Sequence, residues 1–248
     1  MGKTIAVIPA RYASTRFPGK PLADIHGKPM IWWVYNQVIK ASKIDDVYVA
    51  IDDDRVAEVC DKYGINFKMT SPSHNTSTER VNEIASLVEA SVYVCINGDE
   101  PLIDPKVIDA IVPDSLDGFF VANLMTEIKN TVEVVDNTNI KVVTDDCSNA
   151  IFMSRSPIPY PRANMDFKYY KHIGVLAYTK EALEFFANSP KGKNELAEDI
   201  NELRFMEYGK SLKMIEVETE ILSVDTPKDL EYVRDKIKTY PRGDLIGN

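Results

Sequence analysis

Three cationic side chains lie within ten positions, directly after the first apolar run of the chain. The stretch Ile8–Leu22 reads IPARYASTRFPGKPL and carries Arg11, Arg16 and Lys20, with Pro18-Gly19 just before the lysine. Cations crowded on one loop repel each other unless a polyanion lies among them, and guanidinium and ammonium groups bind phosphates well. The glycine lets the backbone approach a ligand closely. The spacing therefore predicts a loop that binds a triphosphate, although a solvated basic loop is the alternative.

Two general nucleotide motifs are absent from this loop. No G-x-G-x-x-G follows the first apolar run, which argues against a dinucleotide cofactor and against an NAD-linked dehydrogenase. No G-x-x-x-x-G-K-[ST] is present either, which argues against a P-loop kinase or ATPase.

Two aspartates are the predicted ligands of a magnesium ion. Asp99 comes shortly after the apolar run Val92–Ile96, and Asp225 comes after Ile221–Val224, so each is expected near the carboxyl end of a strand. A lone aspartate in such a place more often caps a helix or a turn. A triphosphate, however, calls for a hard divalent cation, and Mg²⁺ prefers one or two carboxylates together with phosphate oxygens and water.

Strand and helix patterns alternate in the first half of the chain and predict the elements that position these groups. The predicted elements are a strand at 4–8, a helix at 29–41, a strand at 46–51, a helix at 53–63 that ends before Gly64, a strand at 65–69, a helix from 77 to about 90, and a strand at 92–96. This alternation predicts an α/β fold with a doubly wound, mainly parallel sheet, whose sites lie at the carboxyl ends of the strands.

The second half predicts a smaller β-rich excursion from that sheet. Its expected elements are strands at 140–143, 150–154 and 171–178, helices at 181–186 and 195–208, a strand at 213–217 and a last helix at 227–237, after which residues 240–248 are expected to fray. We expect one domain over 1–248. Its nucleotide-binding part spans mainly 1–125, its β-rich part about 126–215, and residues 216–248 return to the main sheet.

Composition limits the classes of partner that the protein is expected to bind. The 248 residues are 44% hydrophobic and 27% charged, which suits one sizeable α/β domain, and the net charge of −9 argues against nucleic acid. Cys60, Cys95 and Cys147 form no C-x-x-C pair, so they are expected to be reduced, mostly buried thiols of a cytoplasmic protein. No apolar run is long enough to cross a bilayer and no signal peptide precedes the first strand, so no membrane partner is expected.

The loop Ile8–Leu22 resembles the N-terminal signature of the CMP-Kdo synthetases, the cytidylyltransferases that activate 3-deoxy-manno-octulosonate (Kdo). The resemblance continues, in the family's order, over nearly the whole chain. The matching islands are Gly27-Lys28-Pro29-Met30, Thr78-Glu79-Arg80, Gly98-Asp99-Glu100-Pro101, Lys141-Val142-Val143, Ser154-Arg155, His172-Ile173-Gly174 and Val224-Asp225-Thr226-Pro227.

The resemblance implies a Mg²⁺-dependent cytidylyltransferase. Such an enzyme transfers CMP from CTP to the anomeric hydroxyl of a 2-keto-3-deoxy sugar acid and releases pyrophosphate. Asp99 and Asp225 occupy the positions that hold magnesium in the family. Arg11 and Lys20 would stabilise the charge that accumulates in the transition state, with Arg16 ranked third. Arg11, Lys20 and Asp99 are thus the predicted catalytic residues. A non-catalytic nucleotide sensor on the same fold is the alternative from another class.

A second loop is expected to contact the nucleotide. In the family the segment equivalent to His74–Arg80 helps to select cytosine, and the equivalent of Arg80 lies near the nucleotide, so Thr78 and Arg80 are assigned to CTP binding. Thr78 and Glu79 otherwise only cap a helix. Ser77 stands where the family usually has glycine, which would be strained if the backbone there required a positive φ.

The second half is where the family binds its acidic sugar. Arg155 and His172 are the residues expected near the sugar carboxylate, since arginine suits bidentate recognition of that group. Two departures affect the choice of sugar. Asn97 replaces the usual glutamine, and Asn201-Glu202 replaces the usual Glu-Gln order. The substrate is therefore expected to be Kdo or a close analogue, including 8-amino-Kdo. Family members are commonly homodimers, and the excursion is the expected interface.

Overall fold

The structure of the protein is a computed structural model that describes residues 2–13, 17–163, 166–220 and 222–239. Its strands are β1 (Thr4–Ala10), β2 (Asp24–Ile25), β3 (Lys28–Pro29), β4 (Asp46–Ile51), β5 (Phe67–Met69), β6 (Val92–Ile96), β7 (Val121–Glu127), β8 (Lys141–Thr144), β9 (Ala150–Ser154), β10 (Tyr170–Tyr178) and β11 (Lys213–Glu216). Its α-helices are α1 (Met30–Val38), α2 (Asp54–Tyr63), α3 (Ser77–Leu87), α4 (Pro105–Ile111), α5 (Thr131–Val135), α6 (Lys180–Asn188), α7 (Lys193–Glu198), α8 (Leu203–Glu207) and α9 (Pro227–Thr239).

One large sheet organises the molecule. Its strand order is β11-β7-β10-β6-β1-β4-β5, with β8 pairing with β10 and with β9. Strand β1 lies parallel to β4 and β6, and β4 lies parallel to β5, whereas β10 runs antiparallel to both β6 and β7. The expected α/β fold is confirmed: a mainly parallel sheet covered by helices, with a small antiparallel excursion formed by β8, β9 and the start of β10.

Helices cover both faces of the sheet, so the side chains of β1 alternate between two buried cores. Ala6 and Ile8 point to the core that is completed by α1, α2 and α4. Ile5 and Val7 point to the core that is completed by α3, α6 and α8. A strand covered on both faces reads as a continuous apolar run, which explains why β1 and β6 are easily seen in the sequence.

A third, smaller core brings the end of the chain back to its beginning. Met30 and Trp33 of α1 pack with Val224 and with Leu230 and Val233 of α9. The backbone N–H of Val224 also donates to the carbonyl of Asp99 at 2.9 Å. The segment before α9 is thereby held beside the end of β6.

Several sequence-based boundaries are wrong, for local reasons. The single helix expected at 195–208 is two helices, α7 and α8, since Asp199 adopts a left-handed conformation with φ of 52°. The run before Asp225 forms no strand in 222–224, and Ile221 lies outside the described residues. Helices α4 and α5 and strand β7 were not expected. The predicted stop at Gly64 is confirmed by its φ of 64°.

Other expectations concern exposure and the chain end. Cys60 and Cys95 are buried and Cys147 is exposed. Among the described residues, no helix combines the length and the apolar character needed to cross a bilayer. Residues 240–248, which were expected to fray, lie outside the described part of the chain.

Candidate active site

A cavity of about 360 Å³ opens at the carboxyl ends of β1 and β6. Seven residues assigned from the sequence line it, and they come from every third of the chain: Arg11, Lys20, Arg80, Asn97, Asp99, Asn201 and Asp225. Lys191 and Asp199 also line it and were not predicted. Arg16 lies outside the described residues.

Lys20 joins the two predicted metal ligands. Its ammonium lies 2.6 Å from Asp99 Oδ2 and 3.3 Å from Asp225 Oδ1. The second oxygen of Asp99, Oδ1, is buried and accepts no hydrogen bond from any described residue. A buried carboxylate oxygen without a partner pays a desolvation penalty, so such an atom is normally found only where a ligand or ion completes it. The cluster therefore has the character of an incomplete binding site.

Local backbone geometry places these three side chains together. Gly98 has no room for a β-carbon, which would lie 2.8 Å from the carbonyl oxygen of Pro9 in β1, so the end of β6 can pass close to β1 only with glycine here. Gly19 adopts a left-handed conformation with φ of 72° and begins the 3₁₀ helix Lys20–Leu22. The third core supplies Asp225 from the other side.

The donor set fits a magnesium ion. Asp99 and Asp225 offer hard oxygen ligands, both within reach of one ammonium group and one with an unpartnered oxygen. In the part of the chain that the structure describes, no cluster of three His, Cys, Asp or Glu side chains is arranged to hold a metal. Two carboxylates without a dedicated protein cage are what Mg²⁺ uses when phosphate oxygens and water supply the remaining ligands.

The loop before α3 forms a second part of the cavity. Thr76 caps α3 in a capping box with Glu79, and Ser77 takes its first position without a positive φ, so the serine is not strained. Arg80 is buried and donates to Asp52 at 3.0 Å and to Thr70 at 2.6 Å, which fixes its guanidinium at the cavity. The cavity is therefore lined here by a rigid helix start.

Thr78 does not line the cavity. Its side chain is buried, and its hydroxyl lies 3.3 Å from the hydroxyl of Tyr178 in the core. Its assignment to CTP binding stays a prediction.

Arg155 also lies outside the cavity lining. Its guanidinium donates to three backbone carbonyls, those of Glu198 at 2.7 Å, Asn137 at 3.1 Å and Asp199 at 3.1 Å. The side chain therefore fastens the end of α7 to the excursion. A contact with the sugar carboxylate stays a prediction that these bonds do not favour.

The tautomer of His172 follows from its neighbour Asn123, which is fully buried. The amide nitrogen of Asn123 donates to the carbonyls of Ile173 at 2.7 Å and Val175 at 2.9 Å. Its oxygen must then accept, so His172 Nδ1, 3.0 Å away, carries the proton. Burial lowers the pKa of His172, opposed by the nearby Glu202 carboxylate. The neutral ring thus presents Nε2 as a hydrogen-bond acceptor.

Two buried carboxyl groups lie near the cavity. Glu202 is 8% exposed, and its backbone carbonyl accepts from the N–H of Phe205 at 3.2 Å. Burial, with a smaller contribution from the charge of Asp99, raises the pKa of Glu100 to about 8. Asn97 lies beside Glu100 and packs on Gly174. A β-carbon at Gly174 would lie 1.9 Å from the side-chain amide nitrogen of Asn97, so the asparagine fills the space that a larger residue would need. Glu100 follows the predicted metal ligand Asp99 in the Gly-Asp-Glu-Pro motif, and the sequence predicted no role for it.

Comparison with known proteins decides the family. A family model described as cytidylyltransferase matches residues 5–214. The 3-deoxy-manno-octulosonate cytidylyltransferase of Geobacter metallireducens is 41% identical over 96% of this chain and 99% of its own length. The chain belongs to the CMP-Kdo synthetase family of cytidylyltransferases.

Two further proteins are similar to the chain over nearly its whole length. A solved CMP:2-keto-3-deoxy-manno-octonic acid synthetase complexed with CTP has a TM-score of 0.89 and 38% identity, with 95% of this chain and 98% of that chain covered. The 8-amino-3,8-dideoxy-manno-octulosonate cytidylyltransferase of Shewanella frigidimarina is 41% identical, over 92% of this chain and 96% of its own length. Like the other members of this family, the protein is a nucleotidyltransferase.

Proposed function

We propose that the protein transfers CMP from CTP to the anomeric hydroxyl of a 2-keto-3-deoxy sugar acid, releases pyrophosphate and uses Mg²⁺ as its cofactor. The observation that carries this proposal is the Lys20–Asp99–Asp225 cluster, in which a buried aspartate oxygen has no described partner. A cluster that is incomplete in this way, at the edge where β1 and β6 end, is suited to a metal–triphosphate complex. Family membership supports the same reaction.

The reaction needs positive charge around the α-phosphorus. The anomeric oxygen bonds to that atom while the bond to pyrophosphate breaks, and negative charge grows on the phosphoryl oxygens. Asp99 and Asp225 would hold Mg²⁺, which when bound neutralises part of this charge. Arg11, exposed at the cavity, and Lys20 would contact the triphosphate. Arg80 and the start of α3 would contact the nucleoside.

The sugar would bind on the second-half side of the cavity. Asn97 and Asn201 line it there, and His172 and Glu202 lie close by in the fold. As a neutral ring with an accepting Nε2, His172 suits a sugar hydroxyl better than a carboxylate. Residues 126–215 are thus the proposed sugar-binding part.

The same part would form a homodimer. Residues 126–215 expose large apolar side chains, among them Val132 at 68%, Val135 at 71% and Ile151 at 58% exposure. Exposed apolar side chains of this kind favour association with a second copy.

A substrate with an amino group is a second candidate, favoured by Glu202. Glu202 is mostly buried, and a carboxylate in such a place is stabilised more by an ammonium group than by a hydroxyl. The Shewanella relative carries the name of an enzyme for the 8-amino sugar. To test this, kcat/KM is measured for Kdo and 8-amino-Kdo in the native protein and in the double variant Asn201→Glu, Glu202→Gln. We expect the exchange to change the ratio of the two values; an unchanged ratio means that these positions do not read the sugar.

Pyrophosphate release tests the reaction itself. The protein is incubated with Mg²⁺, one nucleoside triphosphate from a panel, and Kdo, 8-amino-Kdo or another acidic sugar. Release that depends on CTP, on the sugar acid and on Mg²⁺ is expected. CTP binding without release with any sugar would instead indicate a nucleotide sensor.

A further inference from the structure

The cations that line the cavity differ in whether they are already paired. Lys20 is bound to Asp99 and Asp225, and Arg80 is bound to Asp52. Arg11 and Lys191 are the other cations among the described lining residues, and both are exposed, with no ion pair to a described carboxylate. Arg11 belongs to the loop after β1, whereas Lys191 lies between α6 and α7.

Lys191 is the cation on the wall that the second half of the chain contributes. The other lining residues from the second half of the chain are Asp199, Asn201 and Asp225. The two sequence-predicted candidates for the sugar carboxylate are committed elsewhere: Arg155 to three backbone carbonyls, and His172, kept neutral by burial, to Asn123. On this wall Lys191 alone among the described residues offers a positive charge to an anionic ligand.

The sugar carboxylate needs such a charge. In a 2-keto sugar acid the carboxyl carbon is bonded to the carbon that bears the attacking hydroxyl, so the carboxylate enters the cavity next to the triphosphate. The cavity lining already contains Asp99, Asp199 and Asp225. Placing a further anion among these charges is unfavourable unless a cation faces it.

The segment that carries Lys191 is anchored at both ends. Arg204 donates to the carbonyls of Phe186 at 2.8 Å and Ser189 at 3.3 Å, just before the lysine. Just after it, a β-carbon at Gly192 would lie 2.1 Å from Glu207, so the backbone packs directly on that carboxylate. A fixed backbone reduces the entropy lost when the lysine is ordered on a ligand.

We propose that Lys191 binds the carboxylate of the sugar acid and selects acidic over neutral sugars. This inference rests on the function proposed above and adds a specificity residue to it. A lysine could bind either the sugar carboxylate or a phosphate of CTP, because both are anions. The test therefore separates these two ligands.

The test is steady-state pyrophosphate release by the full-length protein with Lys191→Met. We expect kcat/KM for the sugar acid to fall about tenfold, as for the loss of a charged hydrogen bond, while KM for CTP is unchanged. Lys191→Arg should restore most of the loss. Lys193→Met is the matched control, because Lys193 is also exposed and close in sequence but does not line the cavity, and it should behave like the native protein.

A second arm varies the substrate. With the carboxamide analogue of the sugar acid, native protein and Lys191→Met should have similar kcat/KM, because the charge that Lys191 reads is gone. A penalty of equal size for acid and amide, or a rise in KM for CTP alone, overturns the inference. So does native-like use of the acid by Lys191→Met. If the native protein releases no pyrophosphate with any sugar acid, the proposed function is wrong as well. That outcome is seen in the native protein, so it is distinct from a failure that concerns Lys191 alone.

Discussion

Two clusters of charge in this molecule contain similar groups but differ in how completely they are paired. In the second half, Arg204 donates to both oxygens of Glu195, at 2.7 and 2.5 Å, and to the carbonyls of Phe186 and Ser189. Both partners are buried, and the guanidinium lies 3.7 Å from the centre of the Phe186 ring. At the cavity, Lys20 is shared by Asp99 and Asp225, and Asp99 Oδ1 has no described partner.

The difference separates architecture from chemistry. A buried network in which every side-chain polar atom has a partner holds one arrangement rigidly, here the junction of α6, α7 and α8 among the described residues. A cluster that leaves a buried acceptor unused is stabilised by adding a ligand, because the ligand removes a penalty already present in the free protein. We therefore expect substitutions in the first cluster to change stability and substitutions in the second to change turnover.

The largest effect is expected for Asp99→Asn and Asp225→Asn. Each removes an anionic oxygen ligand with little change in volume, so turnover should fall about a thousandfold, as when a group that stabilises transition-state charge is lost. The measurement is pyrophosphate release over a Mg²⁺ titration, with thermal unfolding as the control for folding. Native-like rates at limiting Mg²⁺ in either variant would contradict the assignment of that residue.

Arg204→Met should show the opposite profile. The variant leaves Glu195 buried and unpaired, so the free energy of unfolding should fall by about 3–5 kcal/mol. Urea unfolding measures the loss, and Lys129→Met, which removes an exposed ion pair with Glu218, is the control expected to change stability by less than about 1 kcal/mol. If Arg204→Met matched this control, the buried cluster would have no architectural role.

Asn123→Leu tests the fixed tautomer of His172 and should have an intermediate effect. The change leaves the carbonyls of Ile173 and Val175 and the His172 Nδ1–H without their partner, so stability should fall by about 1–3 kcal/mol. Because His172 is then free to change tautomer, KM for the sugar should rise while KM for CTP stays constant. Nitrogen chemical shifts of the imidazole report the tautomer directly, and an unchanged Nδ1–H form in the variant would refute the role of Asn123.

The smallest effect concerns the pH dependence of folding. Burial lowers the pKa of His172, so the unfolded chain binds a proton at higher pH than the folded chain does. The stability that this neutral histidine preserves is present above its ordinary pKa of about 6.5 and is lost as the pH falls below that value. His172→Gln should therefore reduce the loss of unfolding free energy between about pH 7.5 and 5.5, by less than about 1.4 kcal/mol per pH unit. An identical pH slope in both proteins would show that His172 does not contribute.

The sequence predicted the cavity-lining residues from the first half of the chain better than those from the second half. Strands β1 and β6 are buried on both faces, so they appear as apolar runs, and Lys20 and Asp99 follow them in short motifs. Lys191 follows no strand and belongs to no motif; it reaches the cavity because Arg204 and Gly192 shape its loop.

Helix boundaries failed for a similar reason. The pattern over 195–208 has helical spacing, but Asp199 takes a left-handed conformation that ends α7. Aspartate visits that region more readily than most residues but gives no unique signal for it. Packing of α9 on α1, and not a strand at 222–224, holds Asp225 at the cavity. Local sequence patterns do not predict such long-range packing.

We expect the incomplete cluster at the cavity to hold a metal and the triphosphate. A crystal structure with CTP and Mn²⁺, recorded with anomalous scattering, tests it most directly. We predict a Mn²⁺ peak bonded to both Asp99 and Asp225, with the triphosphate in contact with Arg11 and Lys20. A metal peak bonded to neither aspartate, or a triphosphate bound away from the loop after β1, would show that this cluster is not the metal–triphosphate site.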